Sequence, residues 1–141
     1  MLKITKFTCE NKEQGCVTDR KQPSFSFSLE SDQDHVDLKA ATIVVNGWSK
    51  TSKEQIAIRY EGKELQPFTT YQAQVTAIDS YGETATADLS FETGRLDTPW
   101  QAEWISDETY HFTEKKVSPK PMTFRKHITT EKKIASAKIY A

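Results

Sequence analysis

The hexapeptide Ser24-Phe25-Ser26-Phe27-Ser28-Leu29 alternates without a fault, with two phenylalanines and a leucine at every second position and serines between them. A period of two places successive side chains on opposite faces of an extended chain, so this segment predicts a strand with one face on a core and one in water. The same signature recurs. Ala41 to Val45 is apolar and β-branched, Gln55 to Tyr60 sets Ile56, Ile58 and Tyr60 on one side, and Tyr71, Ala73, Val75 and Ala77 form a further inward face. Thr84 to Phe91 closes the series with Ala85, Ala87, Leu89 and Phe91 inward, and Ile4 to Phe7 gives a weaker first strand. Asn46-Gly47, Glu61-Gly62 and Tyr81-Gly82 fall between these runs, where turns need residues that tolerate positive φ. No stretch carries an apolar stripe at helical spacing. Short strands with turn signals between them predict an all-β antiparallel sandwich.

Composition narrows the function. The 141 residues suit one ordinary domain, or one small domain and part of another. Net charge is −1, with acids and bases interspersed, which gives no electrostatic footprint for nucleic acid. No apolar run approaches the roughly 20 residues of a membrane helix, and Met1 to Phe7 has no apolar signal core. The expectations are a cytoplasmic location and neither a nucleic-acid nor a membrane partner.

Leu65-Gln66-Pro67-Phe68-Thr69-Thr70-Tyr71 runs into the strand headed by Tyr71, and its Leu65, Pro67 and Tyr71 resemble the corner of a fibronectin type III or immunoglobulin-like sandwich. A tyrosine at that point sends its hydroxyl back to nearby backbone and locks the corner. After Phe91 the composition changes. Thr93 to Pro99 reads as a linker, followed by Trp100-Gln101-Ala102-Glu103-Trp104-Ile105, a polar stretch, and strand-like runs at Pro121 to Ile128 and Ile134 to Ala141. The predicted organisation is a sandwich over residues 1–95, then a linker and the first strands of a second β-domain over 96–141, with Ala141 as a cut point. Trp100 to Ile105 is expected to pack on the sandwich, and Asp107 to Lys120, with little to bury, to be mobile.

One order of residues is more specific than the corner. Tyr60-x-Gly62-x-x-Leu65-x-Pro67-x-x-Thr70-Tyr71, then Phe91-Glu92-Thr93-Gly94, Trp100-x-Ala102-x-Trp104-Ile105, Phe124-Arg125-Lys126 and Ile134-x-x-Ala137-x-Ile139-Tyr140 resembles the N-terminal region of bacterial α-L-rhamnosidases. The resemblance implies a multidomain inverting glycoside hydrolase with catalytic carboxylates on a later helical barrel. It therefore implies no catalytic residue here, and a non-catalytic accessory role with the remaining domains of the parent glycosidase and rhamnose-containing glycans as partners. The alternative is a stand-alone carbohydrate- or protein-binding module.

Candidate sites follow from residue chemistry. Inverting hydrolysis needs two carboxylates about 6.5–9.5 Å apart, and Glu61, Glu64, Asp79 and Glu83 gather near the corner, although acids are ordinary in turns. Asp79 is expected to bond the turn backbone before Gly82. His35, His111 and His127 are isolated from one another and from the cysteines, so no metal and no cofactor is expected. Cys9 and Cys16 read as two free thiols, with a bridge across a turn at Gly15 left open. Trp48 follows Asn46-Gly47 in a predicted exposed turn and is the one candidate for ligand contact. Trp100 and Trp104 are assigned to the domain junction, where aromatic residues dominate.

Overall fold

The computed structural model describes residues 1–105, 121–135 and 137–139. The chain divides into two units, Met1–Pro99 and Trp100–Ala141. The first is all-β. Its strands are β1 (Leu2–Cys9), β2 (Cys16–Thr18), β3 (Ser24–Ser31), β4 (Leu38–Val45), β5 (Trp48–Ser52), β6 (Ile58–Arg59), β7 (Thr70–Asp79) and β8 (Thr84–Thr93). They form a three-stranded sheet of order β1-β3-β6 and a five-stranded sheet of order β2-β8-β7-β4-β5. Every pairing is antiparallel except that of β2 with β8.

The alternation read from the sequence decides which faces meet. Phe7, Cys9, Phe25, Phe27 and Ile58 are buried on the smaller sheet, and Ala41, Ile43, Val45, Ala73, Val75, Ala77, Leu89 and Phe91 on the larger. The phenylalanines of the small sheet thus face a layer of mainly alanine and branched aliphatic residues, a large-against-small match that close-packed interiors require. The sheets touch directly where Phe25 meets Phe91 edge-on, with ring centroids 5.6 Å apart. On the water-facing side of the larger sheet, Thr42 bonds Thr51 across the ladder and Gln74 bonds Asp88, the cross-strand polar pairs expected of an exposed face.

Three elements depart from the pattern. The run Gln55–Tyr60 yields only the two-residue β6, and Ile56, read as inward, is 78% exposed. The cause is Ala57, at φ +54°, where the chain leaves the extended region. Its N–H bonds the Ser26 hydroxyl instead of a ladder carbonyl. Trp48 does not sit in a turn. Asn46 and Gly47, at φ +48° and +76°, form the two-residue loop of a hairpin, and Trp48 pairs with Val45 as the first residue of β5. Strand β2 carries no alternating signature long enough to read.

In the second unit, Pro121–Ile128 and the described part of 134–141 form no strand, against the expectation of two. Phe124, Ile128, Ile134 and Ile139 are exposed. A strand exists only within a ladder that receives its backbone hydrogen bonds, and among the described residues these segments join no ladder. Asp107 to Lys120, and His111 with it, lie outside the described residues.

Candidate functional site

The corner joins the loop before β7 to the head of that strand. Leu65 is buried in the core, and the Gln66 N–H donates to the Tyr71 hydroxyl at 2.8 Å. Pro67 presets the bend, and its carbonyl accepts the Thr69 hydroxyl at 2.8 Å. The Tyr71 ring stacks on Phe91 with centroids 5.6 Å apart.

A residue that sequence reasoning passed over completes the corner. Thr93, fully buried at the end of β8, accepts the Thr69 N–H at 3.0 Å and donates to the Gln66 carbonyl at 2.6 Å, with the Thr69 carbonyl at 3.1 Å. Its own N–H donates to the Thr69 carbonyl, and Phe68 N–H to the Gly94 carbonyl, both at 2.9 Å. The Phe91-Glu92-Thr93-Gly94 run is therefore the other half of the corner. Gly94 adds a further tie. Its N–H donates to the Thr18 carbonyl, and a Cβ there would lie 2.6 Å from an oxygen of Asp19, the carboxylate that accepts the Leu96 N–H. Lys21 closes the same end with an ion pair to Asp97, which raises the lysine pKa by hydrogen bond and charge. Phe68 holds φ +53° here while 45% exposed.

The tempting acids separate into unrelated structural roles. Asp79 is fully buried, and one of its oxygens accepts the N–H groups of Tyr81 and Glu83 at 2.9 and 2.8 Å, the Asx arrangement expected of it. Glu83 accepts the Leu2 N–H at 2.7 Å and fastens the start of β1. Glu61 pairs with Lys50 at 3.2 Å and Glu64 with Lys21 at 3.9 Å. The other oxygen of Asp79 is buried without a hydrogen-bond partner among the described residues, while Glu83, Glu61 and Glu64 meet Leu2, Lys50 and Lys21 respectively.

Trp48 is half-buried against the core, its indole edge-on to Tyr60 at a centroid distance of 5.0 Å. Tyr60 is itself fully buried and donates its hydroxyl to the Lys63 carbonyl at 2.8 Å. Gly62 admits both rings, since a Cβ there would lie 2.5 Å from the Tyr60 hydroxyl and 2.6 Å from Cβ of Trp48. The Tyr60-x-Gly62 spacing thus belongs to the packing of Trp48. Trp100 and Trp104 are 53% and 104% exposed, and Ile105 is 67% exposed.

An open groove of about 250 Å³ lies on the outer side of the three-stranded sheet, lined by Lys6, Thr8, Asn11, Ser26, Phe27, Ser28 and Ile56. Its lining contains hydroxyls, one amide and one ammonium but no carboxylate, so it offers neither half of a glycosidic acid–base pair. His35 and His127 are exposed, and no group of three or more metal-ligating side chains occurs among the described residues.

Solved structures that share this fold include three α-L-rhamnosidases. The α-L-rhamnosidase of Dictyoglumus thermophilum is 27% identical with a TM-score of 0.67, over 75% of this chain and 14% of that one. The α-L-rhamnosidase of Streptomyces avermitilis complexed with L-rhamnose is 24% identical with a TM-score of 0.68, over 75% and 12%. The native enzyme from Aspergillus terreus is 17% identical with a TM-score of 0.59, over 70% and 12%. The matched region thus spans about an eighth of each of these longer chains. No curated protein matches the sequence. The family described as Rha78A-like, N-terminal immunoglobulin domain matches residues 4–97, the stretch that contains both sheets, the corner and its Thr93 latch, and the chain belongs to that family.

Proposed function

We propose that this chain is a non-catalytic accessory module of an α-L-rhamnosidase-type glycoside hydrolase, supporting and orienting a catalytic region carried by other residues of the same protein. The observation that carries this reading is the coverage. The sandwich aligns with only 12–14% of two α-L-rhamnosidase chains, and its family is described as an N-terminal immunoglobulin domain. The chemistry of the surface agrees. Asp79, Glu83 and Glu61 are engaged in turn, strand and ion-pair contacts, and the groove lining holds no carboxylate. The partners under this reading are the remaining domains of the glycosidase, with Trp100 and Trp104 at the junction to them. Trp48, packed on Tyr60, serves the sandwich rather than a sugar.

The test is an assay of the purified 141-residue chain on aryl α-L-rhamnosides, with a parallel titration against L-rhamnose and a glycan array. The expected result is no release of the aryl alcohol above the blank and no saturable glycan binding. Turnover that scales with chain concentration and is lost on mutation of a groove or corner residue overturns the reading. Saturable binding abolished by Trp48→Ala with the fold intact replaces it with a carbohydrate-binding one.

A further inference from the structure

Cys9 and Cys16 enter the core from different sheets. Cys9 ends β1 and lies opposite Phe25 in the β1–β3 ladder, while Cys16 opens β2 and lies beside Phe91 in the β2–β8 pair. Phe25 and Phe91 are the rings that meet between the sheets, so the two cysteines flank the same contact. Both thiols are free, at 0% and 2% exposure, and Cys16 is near enough to push the Cys9 thiol pKa up. The connection between them is shaped to bring them together. Reciprocal Cys9–Lys12 backbone hydrogen bonds of 3.0 and 2.9 Å turn the chain, and Glu10, Asn11 and Gly15 take positive φ on the way back.

We propose that Cys9 and Cys16 form a site of reversible oxidation, taking a two-electron oxidant of the peroxide class, or a small-molecule disulfide by exchange, to give an intramolecular disulfide that ties β2 to β1 and so links the two sheets. With hydrogen peroxide, one thiolate attacks a peroxide oxygen, leaving a sulfenic acid and one water. The second thiol attacks that sulfur and displaces its oxygen as a second water, with the thiol proton. Both sulfurs are oxidised together by two electrons, and the peroxide is reduced to two waters. With glutathione disulfide the same bond forms and two glutathione thiols leave.

The sandwich holds this pair in reserve. Burial pushes the Cys9 thiol pKa up, and the neighbouring Cys16 and Glu10 push it in the same direction, so reactive thiolate is scarce while the sheets are closed. Strand β2 is a three-residue edge element, and short edge elements open at the low end of local unfolding free energies. Oxidation therefore proceeds through opening of β2, and reclosure positions the bridge.

The experiment treats the full chain with hydrogen peroxide or oxidised glutathione, then denatures it and adds N-ethylmaleimide. The expected product is a monomer that has lost two hydrogens, takes up no maleimide, and regains both thiols with dithiothreitol. Closing so short a loop raises Tm by about 5 °C or more, and Cys16→Ala abolishes both the mass change and the Tm rise. Two maleimides after treatment, a stable mixed disulfide on one cysteine, or bridging only between chains overturns the proposal. So does an intramolecular bridge that lowers Tm, because the folded backbone would then reject it.

Discussion

Thr93 and Tyr71 serve the same corner through hydroxyls of different consequence. The Tyr71 oxygen accepts one partly exposed N–H, from Gln66. Thr93 is enclosed, and its single hydroxyl satisfies both the Thr69 N–H and the Gln66 carbonyl. Losing one ordinary hydrogen bond costs about 1 kcal/mol, whereas stranding buried donors and acceptors costs about 1–3 kcal/mol. Tyr71→Phe is accordingly expected to lower unfolding free energy by about 1 kcal/mol, and the near-isosteric Thr93→Val by about 2–3 kcal/mol, both read from urea melts. Equal losses for the two variants would remove Thr93 from its place as the principal latch. The corner was legible at Leu65, Pro67 and Tyr71 because that spacing is local. Thr93 was not, because a threonine closing an alternating strand looks like any other until its partners, 24 and 27 residues away, are in view.

At the scale of elements, alternation and turn chemistry placed β3, β4, β7 and β8, whereas β5 went unread because Trp48 was assigned to the turn at Asn46-Gly47. The β4–β5 hairpin rests on Asn46-Gly47, and no neighbouring atom lies within 4 Å of a Cβ built on Gly47. Gly47→Ala therefore isolates the backbone cost of φ +76°. The expected loss is about 1 kcal/mol, with the urea dependence of unfolding unchanged. A loss below a few tenths would mean that the loop relaxes out of the left-handed region. Ile56 shows the converse case. Its alternation with Ile58 and Tyr60 points inward, but Ala57 leaves the extended region to bond the Ser26 hydroxyl, 31 residues earlier in the chain. A propensity argument has no means of anticipating that partner. Strand β2 was hidden for a related reason, since a three-residue parallel strand takes its identity from β8, about 75 residues on.

For the whole molecule, the buried thiol at the meeting of the sheets makes stability depend on alkaline pH. The folded state holds the Cys9 pKa above that of an exposed thiol. Above roughly pH 8.5 the unfolded chain loses this proton first and so binds fewer protons than the folded chain. Stability is full below that pH and falls as pH rises, by up to about 1.4 kcal/mol per pH unit from this group. Cys9→Ala is expected to flatten that part of the profile in chemical denaturation between about pH 8 and 10; an unchanged slope would show that the thiol ionises as freely in the sandwich as outside it. Legible in the residues alone were the all-β class, the inward faces of the long strands, the tyrosine corner and the resemblance to rhamnosidase N-terminal regions. The first three rest on period-two patterning and on turn chemistry that acts over a few residues, and the resemblance on the order of the motif residues. The residues alone do not show that Thr93 closes the corner, that Trp48 packs edge-on against Tyr60, that Asp79, Glu83, Glu61 and Glu64 meet different partners, or that Cys9 and Cys16 flank one contact of the core. Each of those depends on which strands become neighbours, and pairing between distant segments is settled by packing the two sheets together rather than by any property of the segments alone.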